Sequence, residues 1–231
     1  MTQSGLRRLL SRIVHMLLFA AGVNLVVSSG LAADEFSRPM QTLLRVEQDY
    51  GQYASQRVNK WYRLINDYRD EHPRDKLELV NDFFNQLAFI NDTDHWGEED
   101  YWATPVQMLA SNGGDCEDFS IAKYFTLREM GVPEEQMRLT YVKALQLDQA
   151  HMVLTYYPSP DAEPLVLDNL DTAILPSSQR TDLLPVYSFN GNGLWLAKRE
   201  GNDERVGRSE RLSRWQEVIA RVNDEQLLMA R

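Results

Sequence analysis

The sequence has a single cysteine and a shortage of positive charge, and each shortage excludes a class of protein. One cysteine among 231 residues cannot form an internal disulfide, a cysteine-rich zinc site or an iron–sulfur cluster. Lys and Arg number 24 against 34 Asp and Glu, which gives a formal net charge of −10. A chain this acidic repels phosphate backbones, so nucleic-acid binding is not expected. Its hydrophobic content of 43% is sufficient for a packed core.

The N-terminal segment lacks an apolar run of the ~20 residues that a membrane-spanning helix needs. It has instead the order of a secretory signal peptide: three arginines, a mostly apolar stretch over 13–27, and small residues up to Ala33. We therefore expect a signal peptide over 1–33, one domain over 34–231 and a periplasmic location. The alternative is a signal anchor that is not cleaved.

Helical spacing of apolar residues dominates the first half of the remaining chain, and strand-like segments dominate the second half. The predicted helices cover 40–68, 77–87, a short segment opened by Thr104-Pro105, 116–130 and 212–222, and the predicted strands cover 137–145, 151–157, 165–167, 186–189 and 194–198. The stretch 91–103 reads as a polar, aromatic loop. Helices followed by strands favour an α+β fold with an antiparallel sheet and a C-terminal helix.

The lone cysteine lies where a helix is predicted to begin. Gly113-Gly114 ends one helix, Asp115 is a plausible N-cap, and Cys116 falls in the first turn of the next helix. Unpaired backbone N–H groups and the helix dipole at that position favour a thiolate and could hold an oxyanion. Cys116 is therefore a candidate nucleophile, and the alternative is an inert, buried cysteine.

A nucleophilic thiol needs a base and a group that orients the base. Of the four histidines, one lies in the predicted signal peptide and one ends an exposed helix, while His95 lies in the polar loop, where a solvated or capping role is expected. His151 opens an alternating strand, which is a rigid seat for a catalytic group. Asp168 ends an apolar strand and could fix the histidine tautomer, a role that Asn169 could also fill.

These segments resemble a known family, the bacterial transglutaminase-like cysteine proteinases, over nearly the whole chain after the signal peptide. The resemblance is carried by the segments 113–118, 150–153, 166–169, 94–97 and 101–105. It implies a papain-like/transglutaminase-like core in which Cys116 is the nucleophile, His151 the base and Asp168 the orienting residue. It also implies peptide-bond hydrolysis through a thioester.

The resemblance further implies a substrate and a regulator. The substrate would be the N-terminal region of a very large, LapA-like surface adhesin, cut beside a double alanine, so that its release promotes biofilm dispersal. The regulator would be a LapD-like inner-membrane receptor that sequesters the protease when cytoplasmic cyclic di-GMP is high. No nucleic-acid partner and no stable membrane insertion after signal cleavage are expected.

Three acidic residues, Asp115, Glu117 and Asp118, crowd the cysteine and should oppose ionisation of its thiol. One interpretation is the common enrichment of acids at helix N-termini. The other is a calcium site, because hard cations bind clustered oxygens and reverse the local charge. The resemblance also implies calcium dependence with these acids as ligands. The spacing is not that of an EF-hand, so backbone carbonyls or the acidic 91–103 loop would complete the site.

Two other functions stay open. A transglutaminase or amidase would use the same thioester with a different acceptor, and a non-catalytic periplasmic binding module would carry an inert cysteine. The aromatic residues Trp96, Tyr101 and Trp102 could line a substrate groove, but we expect them to pack in the core.

Overall fold

The computed structural model describes residues 39–197 and 203–228. The predicted signal peptide lies outside these residues. Within the described ranges, no helix combines the length and the apolar character that crossing a bilayer requires.

Helices occupy most of the first half of the described chain, and strands most of the second half. The helices are α1 (39–50), α2 (Gln52–Asp67), α3 (Pro73–Phe84), α4 (Asp92–His95), α5 (Pro105–Ser111), α6 (Cys116–Glu129) and α7 (Ser213–Leu228). The strands are β1 (Ala88–Phe89), β2 (Gly113–Gly114), β3 (Met137–Ala144), β4 (Gln149–Tyr156), β5 (Leu165–Leu167), β6 (Leu175–Pro176), β7 (Leu183–Phe189), β8 (Leu194–Leu196) and β9 (Glu204–Gly207). The predicted α+β class and the predicted C-terminal helix are confirmed.

Two predicted elements differ from the structure by more than the position of their ends. The expected continuous helix over 40–68 is broken at Gly51, whose φ of 86° lies in the left-handed region that favours glycine. Its N–H bonds to the carbonyl of Glu47 and closes α1 before α2 begins. The expected loop over 91–103 contains the one-turn helix α4, because the N–H of Trp96 returns to the carbonyl of Asp92.

Seven antiparallel strands of the described chain form one sheet in the order β6-β5-β4-β3-β7-β8-β9. Strands β3 and β4 lie at its centre, with His151 opposite Val142. Strand β5 pairs with the last residues of β4, so that Asp168 leaves the sheet beside β4. The short strands β1 and β2 form a separate parallel pair, and β2 leads directly into α6.

Helix α6 is the central helix of the fold and is buried along most of its length. Trp215 from α7 is fully buried against the rings of Tyr124 and Phe125 of α6 and of Phe189 at the end of β7, with centroid distances of 5.3–5.6 Å. Trp102 is buried as well and stacks on Phe189, which confirms its predicted place in the core. These contacts hold α6 in one position relative to α7 and the sheet.

Replacing Trp215 with Ala should lower the free energy of unfolding by about 3–5 kcal/mol, because a large cavity forms between α6, α7 and the sheet. Urea titration followed by far-UV circular dichroism measures the change. Leu196→Ala, which truncates an exposed side chain, is the control and should change the same quantity by about 0.5 kcal/mol or less. A Trp215→Ala protein as stable as the control would contradict this packing.

Candidate active site

The start of α6 has the predicted geometry. Asp115 is the N-cap residue, and Cys116 is the first helical residue. The carboxylate of Asp118 accepts the N–H of Asp115 at 3.3 Å and closes the first turn. A Cβ on Gly114 would lie 2.3 Å from the Asp118 carboxylate, so only glycine permits this close approach. These contacts therefore fix the position of Cys116 at the start of α6.

The thiol of Cys116 is partly buried between an acid and a strand. It donates a hydrogen bond to Oε2 of Glu117 at 2.7 Å, and the backbone N–H of Met152 faces the sulfur. Burial raises the pKa of the Cys116 thiol, and the charges of Glu117 and Asp115 raise it further, while the Met152 N–H opposes them. In the metal-free protein the sulfur is therefore a thiol, adjacent to the residue that follows His151.

The predicted base and orienting residue are in direct contact. Nε2 of His151 lies 2.7 Å from Oδ1 of Asp168, and both side chains are buried. A neutral imidazole that donates through Nε2 accepts through Nδ1, so the carboxylate selects the tautomer with a basic Nδ1. The partner of His151 is Asp168 rather than Asn169.

The carboxylate of Asp168 accepts hydrogen bonds from three residues. Besides His151, the N–H of Leu170 donates to Oδ1 at 3.1 Å and Nη2 of Arg180 donates to Oδ2 at 2.7 Å. Burial raises the pKa of Asp168, but the contacts with His151, Leu170 and Arg180 outweigh it and lower the pKa to about 2. Asp168 is therefore ionised at neutral pH even though it is shielded from water.

A buried lysine supports the same residue from behind. Nζ of Lys123 donates to the backbone carbonyl of Asp168 at 3.1 Å and to Asn81 at 2.8 Å, and Asn85 donates to the same carbonyl. Burial lowers the pKa of Lys123 to about 7, although the charge of Asp168 acts against this. The sequence carried a signal for Lys123, since a lysine interrupts the apolar spacing of α6. Arg180 had no such signal because it lies in a polar connection before β7.

The acids of the α6 N-terminus are joined by a residue from the 91–103 segment. Asp92 of α4 brings a carboxylate oxygen within 4.8 Å of oxygens of Asp115 and Asp118, and Asp115 and Glu117 form a similar group with the Cys116 sulfur. Oδ1 of Asp92 and Oδ1 of Asp115 are buried without a hydrogen-bond partner in the described structure. The sequence had indicated the segment but not the residue.

The electrostatics of this cluster suit a hard divalent cation. Burial raises the pKa of Asp92 to about 6, of Asp115 to about 9 and of Asp118 to about 7, with repulsion among the neighbouring acids as a further cause. A cation would neutralise these groups and would supply partners for the two orphaned oxygens. The residues present therefore fit a calcium-like ion.

The other candidate histidine has a different environment. Nε2 of His95 lies 2.8 Å from Oγ of Ser111, and its ring packs edge-on against Trp96. Trp96 in turn packs against Tyr101, and both are half-buried beside the core. These contacts give His95 a packing role at the junction of α4 and α5.

Comparisons with known proteins agree with this geometry. The model of one family, the bacterial transglutaminase-like cysteine proteinases (BTLCP), matches residues 54–195. The structure of Legionella pneumophila LapG shares 44% sequence identity with the chain, covers 79% of this chain and 96% of that chain, and has a TM-score of 0.69. Its EGTA-treated and calcium-bound structures share the same identity, cover 79% of this chain and 96% and 98% of those chains, and have TM-scores of 0.70 and 0.69. No match was found among curated proteins. The predicted transglutaminase-like core is confirmed.

Raised carboxyl pKa values make the metal-free protein less stable as pH rises. In the unfolded chain an Asp has a pKa of about 3.9. Between pH 5 and pH 7 the carboxyls with raised pKa values therefore bind protons only in the folded state, and the free energy of unfolding falls as pH rises. We expect Asp118→Asn to remove up to about 1.4 kcal/mol of that fall per pH unit. Urea titrations in chelator at pH 5, 6 and 7 measure it. Asp161→Asn, at an exposed position, should leave the pH dependence unchanged; equal slopes in both variants would contradict the prediction.

Proposed function

This chain belongs to the bacterial transglutaminase-like cysteine proteinases, and from that premise we propose that it is a calcium-dependent cysteine endopeptidase with a Cys116–His151–Asp168 triad. The observation that carries the proposal is the buried hydrogen bond between His151 and Asp168. His151 precedes Met152 on β4, and the Met152 N–H faces the Cys116 sulfur. An inert core cysteine would need no buried imidazole–carboxylate pair beside it.

The proposed reaction uses each residue at a stated atom. Nδ1 of His151 takes the thiol proton, and the Cys116 sulfur attacks the carbonyl carbon of the scissile peptide bond. Backbone N–H groups at the start of α6 stabilise the oxyanion. The C–N bond then breaks, the amine leaves with the proton from His151, and water hydrolyses the thioester to regenerate the thiol. Asp168 stays ionised and holds the ring through Nε2.

We propose that calcium binds among Asp92, Asp115, Glu117 and Asp118. The two orphaned carboxylate oxygens and the raised pKa values of the cluster support this, as does the calcium-bound structure of the Legionella pneumophila relative. A bound cation supplies positive charge next to the thiol. The four acids place carboxylate oxygens around the proposed cation position. When no metal is present, Glu117 accepts a hydrogen bond from the Cys116 thiol.

The proposed substrate is a large, LapA-like surface adhesin, cut in its N-terminal region beside a double alanine so that the adhesin is released and the biofilm disperses. The similarity to LapG over 96% of that chain supports this choice. The signal-peptide pattern over 1–33 supports a periplasmic location. A LapD-like inner-membrane receptor that responds to cyclic di-GMP would hold the enzyme in check.

Cleavage of an adhesin N-terminal fragment that contains a double alanine should require calcium and the triad. We expect Cys116→Ala and His151→Gln to lower kcat/KM by about a thousandfold or more, because each removes a group that acts in the bond-breaking step. Gel-based cleavage rates in calcium and in chelator measure this. His95→Gln is the matched control, since His95 binds Ser111 instead, and it should retain most of the activity.

Unchanged cleavage in His151→Gln would contradict the triad. A labelled primary amine included in the same reactions separates hydrolase from transglutaminase, because only a transferase incorporates the amine into the product. Alternatively, absence of cleavage and of amine incorporation by the wild-type protein would favour the binding-module function.

Calcium should raise the melting temperature, and Asp92 should be required for that effect. At a calcium concentration a hundredfold above Kd, binding adds about 2.7 kcal/mol, which corresponds to roughly 5–11 °C for a domain of this size. Differential scanning calorimetry measures the shift. Asp92→Asn should abolish most of it, and Asp94→Asn, an exposed acid on the same helix, should keep it. Equal shifts in both variants would place the cation elsewhere.

A further inference from the structure

A buried arginine contacts the carboxylate that orients the proposed base. The side chain of Arg180 is 3% exposed, and its Nη2 lies 2.7 Å from Oδ2 of Asp168, whose side chain is fully buried. The same guanidinium bonds through Nε and Nη2 to Asp182, which lies on its more exposed side. Burying an arginine lowers the free energy of unfolding unless its contacts offset the desolvation of its charge. A buried arginine at this position therefore suggests a functional role.

The two oxygens of Asp168 have separate partners. Oδ1 accepts from His151 and from the Leu170 N–H, while Oδ2 accepts from Arg180. A carboxylate held at one oxygen can rotate about its side-chain bond, whereas a carboxylate held at both has one orientation. The Arg180 contact therefore fixes the direction in which Oδ1 points toward the imidazole.

The other charged groups near Asp168 act differently. Lys123 of α6 bonds to the backbone carbonyl of Asp168 and not to its carboxylate. Asp182 reaches Asp168 only through the guanidinium of Arg180. Among the described residues, Arg180 is thus the permanently charged side chain that binds the Asp168 carboxylate directly. Its positive charge compensates the buried negative charge of Asp168, which would otherwise have only the imidazole and a backbone N–H as partners.

We propose that Arg180 is a positioning residue of the peptidase: by binding Oδ2 of Asp168 it holds Oδ1 in the orientation that keeps the His151 ring in its Nε2–H tautomer. The inference rests on the proposed function, which it deepens, and assigns no contact between Arg180 and substrate. Its effect reaches the reacting atoms through Asp168 and His151.

Arg180→Met tests this with a side chain of similar length and no charge. We expect kcat for the adhesin fragment to fall by about tenfold to a hundredfold, by analogy with the loss when the hydrogen-bond partner of a metal-binding histidine is removed. KM should change less than about threefold, because Arg180 does not bind substrate. Arg180→Lys, which restores the charge without the two-pronged fork, should recover part of kcat.

A spectroscopic readout separates positioning from a merely structural role. In ¹⁵N-labelled protein, which contains four histidines in all, the ring nitrogens of His151 should report the Nε2–H tautomer in the wild type and a mixed population in Arg180→Met. This measurement needs no substrate, so it stands even if the adhesin fragment is not cleaved. Failure of cleavage by the wild type would count against the proposed function, and an unchanged His151 tautomer in Arg180→Met would count against the role of Arg180.

Arg138→Met is the matched control, because Arg138 also forms a half-buried ion pair, with Asp203, but at the far end of β3. It should lower stability without changing kcat or the His151 tautomer. If Arg180→Met is too unstable to purify, the double variant Asp168→Asn/Arg180→Met removes both buried charges together. Its kcat is then compared with that of Asp168→Asn alone, and Arg180→Lys takes the place of Arg180→Met in the wild-type background.

A double-mutant cycle shows whether Arg180 acts through Asp168. In an Asp168→Asn background, adding Arg180→Met should lower kcat by less than about threefold, since the group that Arg180 positions is already changed. An equal loss of kcat in both backgrounds would overturn the proposal, as would wild-type kcat in Arg180→Met.

Discussion

The packing of helix α6 against strand β4 is the contact on which the candidate active site depends. Cys116 and Ser120 lie one helical turn apart, and both approach Met152: the Ser120 hydroxyl donates to its carbonyl at 3.0 Å, and its N–H faces the Cys116 sulfur. These two contacts with one strand residue leave the helix little freedom to slide or rotate. Since Met152 follows His151, they also bring the proposed nucleophile to the strand that carries its proposed base.

The same helix start explains the dependence on a cation that we propose. Backbone N–H groups at a helix N-terminus favour an anion, but three acids of this chain compete with the thiolate for that advantage. With no metal, Glu117 accepts the thiol hydrogen and burial keeps the proton on sulfur. A calcium ion among the carboxylates would compensate their negative charge and so favour the thiolate. The acids that raise the pKa of the Cys116 thiol are thus also the groups through which calcium would lower it.

The sequence was most informative where one pattern fixes one environment. Cys116 was predicted from its helix start and His151 from its alternating strand, and both elements are confirmed. Asp92 was predicted only as part of an acidic segment, because a one-turn helix leaves no periodic signal. Arg180 was not predicted, because it reaches Asp168 from a connection whose path is set by strand pairing between β3 and β7. Contacts between distant segments are thus the part that local pattern does not encode.

The central claim is that the Cys116 sulfur and the His151 ring act as one pair, and the rate of Cys116 alkylation by iodoacetamide tests it without any substrate. As the chain has one cysteine, modification followed by mass spectrometry reports on this thiol alone. In calcium near neutral pH, we predict that His151→Gln slows alkylation by about a hundredfold, the lower range of general-base contributions, while His95→Gln alkylates at the wild-type rate. Equal alkylation rates in the wild type and in His151→Gln would contradict the account.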